Sequence, residues 1–239
     1  EPDAILLTPE ARRLVAPFVR TEEGRPVALQ SDGSLVVPHR LLGASDARSR
    51  LEGAARSALT PFVGRERERA TLAEHLALAR DGMGRFTVLI GEAGVGKSRL
   101  LHELRDAADH VGVRVLVGRC DAYGGTTPFL PFVEAAQEAL GLPRGEAVEL
   151  RHDALLRAAR AIDPSLEDFL PLFLALLGIP TESHPVPEHL RGELFQAAML
   201  EAIAALFTLG ARVQPTLLLL EDWHWADEPS RAALRQLAE

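Results

Sequence analysis

The residues with the plainest chemistry are Gly91-Glu92-Ala93-Gly94-Val95-Gly96-Lys97-Ser98, a complete G-x-x-x-x-G-K-[ST] spacing. A compact ammonium on a flexible stem can fold back over a loop of backbone N–H groups and reach the β- and γ-phosphates of a nucleotide. A planar guanidinium is too wide and too rigid for that cradle. Lys97 is the only lysine in the chain, because the 26 basic side chains resolve into 25 Arg and one Lys. Such a bias usually reflects a GC-rich coding sequence, and a lysine kept against it points to a role that arginine cannot fill. Gly91 to Ser98, with Arg99 one residue on, are therefore the candidate nucleotide-binding residues. Ser98 adds a hydroxyl suited to ligating Mg²⁺.

The flanks of the loop suit the same chemistry. Phe86-Thr87-Val88-Leu89-Ile90 is a short apolar, β-branched run of the kind that forms a buried parallel strand. Ser98 to Leu104 has leucines at helical spacing. Strand, loop and helix in that order would aim the helix N-terminal N–H groups and dipole at bound phosphates. The complementary half of such a site is an aliphatic run ending in acids, and Pro215-Thr216-Leu217-Leu218-Leu219-Leu220-Glu221-Asp222 supplies it. The first carboxylate would hold Mg²⁺ and the second would orient or deprotonate an attacking water. Glu221 and Asp222 are thus the metal candidates beside Ser98, and Asp222 with Lys97 the catalytic ones. Trp223-His224-Trp225 reads as packing at the sheet end, with His224 on the departing loop, and Asp227 with Pro229 as the start of a closing helix. Cys120 reads as a small buried filler.

The whole chain is compatible with one large domain or a medium domain with an appendage: 239 residues, 47% hydrophobic and 25% charged. One cysteine cannot form an internal disulfide, which points to the cytosol. The run Phe169 to Ile179 is interrupted by Pro171 and too short to cross a bilayer, so no membrane partner is expected. A net charge of −8 without a basic cluster, beyond the alternation Arg65-Glu66-Arg67-Glu68-Arg69, leaves no footprint for nucleic acid.

Three stretches follow from the local signals. Residues 1–43 read as strand (Ile5–Thr8), helix (Pro9–Val15, capped by Thr8) and hairpin (Arg25–Leu29 and Ser34–Val37, with Ser31-Asp32-Gly33 between). Residues 44–58 read as a linker. From 59 to 239 the expected helices are Glu66–Ala79, Pro131–Leu140, Val148–Ile162, Ser165–Leu177, Pro187–Phe207 and Ser230–Leu237, with strands at Phe86–Ile90, Val113–Val117 and Leu217–Leu220.

Phe62-Val63-Gly64-Arg65-Glu66-Arg67-Glu68 resembles the hhGRExE signature that precedes the phosphate loop in the STAND class of AAA-related signalling ATPases. Gly118-Arg119-Cys120-Asp121-Ala122-Tyr123-Gly124 and Leu220-Glu221-Asp222-Trp223-His224-Trp225-Ala226-Asp227 are similar to the second-strand and Walker B segments of bacterial members. The resemblance implies an adenine pocket lined by Val63, Gly64 and Arg65, with ATP and Mg²⁺ as cofactors and slow, regulatory hydrolysis. It implies a signalling role exerted on other domains of the same polypeptide, and leaves open a homo-oligomer on activation. Residues 28–43 resemble the terminal hairpin of class III adenylate/guanylate cyclase domains, although Gln30 and Ser31 replace the usual Lys and Gly. The parent could then be a cyclase under ATPase control; a large LuxR-type transcriptional regulator or a nucleotide-held scaffold without turnover are the alternatives.

The expected fold is α/β, a P-loop NTPase parallel sheet with helices on both faces, carrying a small N-terminal α+β remnant. The family resemblance places a further strand between Phe86–Ile90 and Leu217–Leu220, and no run in the chain supplies it. The chain is accordingly expected to stop within its own ATPase domain.

Overall fold

The computed structural model describes residues 4–16, 18–28, 35–44, 61–121, 127–142, 148–180 and 184–239. The chain divides into two compact units, Glu1–Arg65 and Glu66–Glu239. The expected turn Ser31-Asp32-Gly33, and the linker beyond Ala44, lie outside the described residues.

In the first unit, β1 (Leu6–Leu7) leads into α1 (Pro9–Val15). Thr8 caps the helix by accepting a hydrogen bond from the Ala11 amide at 3.2 Å, and Pro9 occupies the first turn, where no donor is needed. β2 (Val19–Glu23), β3 (Val27–Ala28), β4 (Leu35–Val36) and β5 (His39–Ala44) follow. β3 and β4 pair as the anticipated antiparallel hairpin, Val27 opposite Val36. β2 and β5 were not anticipated. They flank each other in a second antiparallel sheet of order β1-β5-β2. Arg20, Thr21, Glu22 and Glu23 give β2 no apolar alternation, so only its pairing with β5 makes it a strand.

The second unit carries the loop. Its helices are α2 (Glu66–Arg80), α3 (Lys97–His110), α4 (Leu130–Ala139), α5 (Val148–Ile162), α6 (Leu170–Leu176), α7 (Glu193–Val213) and α8 (Glu228–Ala238), with 3₁₀ turns at Pro164–Phe169 and Trp223–Trp225. Two strands, β6 (Arg114–Arg119) and β7 (Thr216–Glu221), pair in parallel with Arg114 opposite Thr216 and Arg119 opposite Glu221. The pleat divides their side chains. Leu116, Leu218 and Leu220 meet the large core built from α4 to α8, centred on Phe132, Phe173 and Leu206. Val117 and Leu219 are buried outside that cluster, as are Leu100 and Leu104 of α3, which packs against β6. Helices thus cover both faces of a small sheet.

Three expectations are corrected. The run Phe86–Ile90 is not a strand: Phe86, Val88 and Ile90 are 59%, 60% and 90% exposed. A strand exists only with a partner for its backbone groups, and among the described residues none lies beside it; β7 likewise pairs only with β6. The expected Ser165–Leu177 helix is split into a 3₁₀ turn capped by Asp163 and the short α6. α7 begins at Glu193 rather than Pro187, because Gly192 holds φ +55° and turns the chain into the helix there. At 21 residues and mean hydropathy 1.7, α7 is the one described helix long and apolar enough to cross a membrane. Its Met199, Ile203 and Leu206 sit instead in the protein core.

Candidate functional site

Gly94 and Gly96 hold φ +80° and +93°, in the left-handed region that an L side chain enters only with strain. These two residues wrap the chain into the first turn of α3, which opens at Lys97 with Gly96 as its cap. The Lys97 ammonium folds back over the loop and donates to the carbonyls of Gly91 and Glu92, each at 2.8 Å. A Cβ at Gly91 would crowd the Val95 methyl at 3.0 Å, whereas at Gly94 and Gly96 it would project into open space. The loop is therefore a tight backbone turn, held by its lysine, against a helix whose first N–H groups have no intrahelical acceptor. That form suits an anion of phosphate type. Arg99, one turn in, is engaged by Glu103 at 2.7 Å. His75 of α2 and Thr87 share a hydrogen bond at 2.8 Å, tying α2 to the run that enters the loop.

At the far ends of the strands, Glu221 is the last residue of β7 and Asp222 follows with φ +54°, a conformation in which a short polar side chain is favoured over most others. The Glu221 carboxylate accepts from Arg119 Nε at 3.2 Å, and the Asp222 side chain is exposed. Glu134 of α4 accepts from the Arg119 main-chain N–H at 3.1 Å, closing the outer edge of β6. Gly118 lets α4 come close: a Cβ there would collide with the Pro131 carbonyl. Trp223 meets Phe132 edge-on at 6.5 Å, as its packing role requires, while Trp225 is 53% exposed and does not pack beneath the sheet. Asp227 caps α8 through the Ser230 amide at 2.7 Å. Cys120 is buried, and burial, followed by the charges of Asp227, Asp222 and Glu134, pushes its thiol up to about 11. It is no nucleophile at neutral pH.

The AAA ATPase domain family matches residues 61–239. The chain belongs to that family. As an AAA ATPase domain it is a nucleotide-binding P-loop module, and Mg²⁺ is the metal such domains ordinarily take. An uncharacterized protein, R02095, of Rhizobium meliloti (strain 1021) is 28% identical over 180 residues, covering 74% of this chain. The chain spans 17% of that relative's length. No solved structure matches.

Of the expected site residues of this AAA domain, the structure brings Gly91 to Ser98 into one turn and sets Glu221 and Asp222 together at the end of β7. Val63, Gly64 and Arg65 belong to the first unit, Val63 being 86% exposed. The second unit by itself therefore does not contain the expected adenine contacts. Of the second-strand segment, Ala122 to Gly124 lie outside the described residues. Arg119 and Glu134 are the residues that motif reading missed. Arg119 stood inside a recognised segment, but its tie to Glu221 follows from strand register, which no local spacing reveals. Among the described residues no three His, Cys, Asp or Glu side chains converge as a metal cage. The chemistry of the expected donors is that of Mg²⁺: Ser98 offers a hydroxyl and Glu221 and Asp222 offer carboxylates, the oxygen ligands this ion takes together with ligand phosphates and water.

Proposed function

We propose that this chain binds ATP with Mg²⁺ at Gly91–Ser98, Glu221 and Asp222, as the regulatory module of a multidomain STAND-type signalling ATPase. The observation that carries the reading is the loop itself. Lys97 opens α3 with its ammonium folded over the turn, where it would neutralise the β- and γ-phosphates while the helix N-terminus receives them. Ser98 and Glu221 would hold Mg²⁺, which supplies charge neutralisation on the phosphate oxygens. Asp222 would accept a proton from, or orient, the water. Val63, Gly64 and Arg65 would contact adenine, and slow turnover would make the bound nucleotide a switch for neighbouring domains.

The test is titration with a fluorescent ATP analogue. Replacing Lys97 by Ala removes a charge-assisted contact and is expected to weaken binding by about 1.5–3 kcal/mol, roughly 10- to 150-fold. Equal affinity in both proteins would sink the assignment.

A cyclase parent is the favoured context. Its support is the hairpin Val27–Ala28 with Leu35–Val36, followed by β5 at His39–Ala44, where the cyclase-like segment lies. Assay of the complete natural protein for cyclic nucleotide formation would decide between this and a LuxR-type regulator, which makes none.

A further inference from the structure

Arg119 and Glu221 stand opposite each other at the last positions of β6 and β7, so the pleat sends both side chains to the same face. Their side chains are only 16% and 19% exposed. The main-chain N–H of Arg119 donates to Glu134, and its Nε donates to Oε2 of Glu221. A partly buried carboxylate needs a cation, and before any metal arrives the guanidinium of Arg119 is hydrogen-bonded to it.

We infer that Arg119 is the resident counter-ion of Glu221, which a divalent cation must outcompete, so that Arg119 sets the Mg²⁺ concentration at which nucleotide is held. The inference rests on the nucleotide reading of the loop. Two effects act in the same direction. A guanidinium retained beside an incoming divalent ion repels it. A partly buried carboxylate stripped of its guanidinium is left as an uncompensated charge and draws a cation in. Removal of Arg119 should therefore favour the metal. A residue that merely braced the strand end would act in the opposite sense, because loosening Glu221 would harm any site built on it.

The experiment uses the natural full-length polypeptide and a fluorescent ATP analogue, with Mg²⁺ as the varied component. Arg119→Ala is expected to lower the Mg²⁺ midpoint several-fold while leaving binding in EDTA unchanged. Arg119→Gln, closer in length and uncharged, carries the same expectation if the alanine variant does not fold. Arg119→Lys, which keeps the charge, should stay near the wild type. Combined with Glu221→Gln, loss of Arg119 should produce no further shift. A midpoint that rises or stays put in Arg119→Ala, or that falls equally in the Glu221→Gln background, would overturn the inference while wild-type analogue binding still stands. Absence of wild-type binding at every Mg²⁺ concentration overturns the nucleotide reading and this inference with it.

Discussion

Two adjacent acids at the end of β7 occupy unlike settings, and their substitutions should separate accordingly. Glu221 is half-buried and bonded to Arg119, while Asp222 is exposed on a left-handed turn. If Glu221 holds Mg²⁺ and Asp222 serves the water, Asp222→Asn in the complete protein should keep Mg·ATP bound but slow turnover. Glu221→Gln should weaken the magnesium dependence of binding. Nucleotide titration beside phosphate release distinguishes them, and opposite losses would mean the roles are shifted by one residue. Cys120 gives a second expectation. Because its thiol is raised from 9.0 to about 11, the folded chain should resist iodoacetamide at pH 8 and react promptly once unfolded in urea. The associated stability is intact below 9.0, where the unfolded thiol is still protonated, and is lost as the pH climbs to about 11. At this scale the loop was legible because Gly94, Gly96 and Lys97 are required by backbone geometry and charge whatever surrounds them. Arg119 was not, since its role depends on a neighbour 102 positions away.

Elements were legible where composition left a single solution. The aliphatic run before Glu221 is β7, and Val148–Ile162 is a helix over the anticipated range. Thr8-Pro9 and Asp227 with Pro229 mark helix starts by side-chain chemistry that acts within three residues. Phe86–Ile90 shows the limit: its residues favour a strand, but a strand is a property of two segments. α7 shows another, because Pro187 offered a plausible first turn and only the dihedral angles of Gly192 moved the start to Glu193. β6 and α4 approach closely at Gly118 and Pro131, where an added Cβ would meet the Pro131 carbonyl. Gly118→Ala should force strand and helix apart and destabilise the second unit by about 1–3 kcal/mol or more, read as a lower urea midpoint. An unchanged midpoint would show that α4 can yield there.

For the whole molecule, the exposed apolar side chains Phe86, Val88 and Ile90 and the outer edge of β7 are the surfaces most prone to recruit other chains. With those surfaces exposed, the 239-residue chain is expected to self-associate and to melt broadly. Light scattering and calorimetry test this; a monodisperse sample with one sharp transition would contradict it. The AAA family could be read from separated motifs in order, whereas the sheet that joins them could be read only in part.

The two strands of that sheet are neighbours in space, but α4 to α7 intervene in the chain between them. Joining them early would close a loop of about a hundred residues before any contact compensates for the lost chain entropy. Helices α5 and α6, in contrast, are joined through the single 3₁₀ turn Pro164–Phe169. The helical layer is therefore expected to condense before β6 and β7 pair, which would leave the strand ends that hold Arg119 among the later parts of this unit to form.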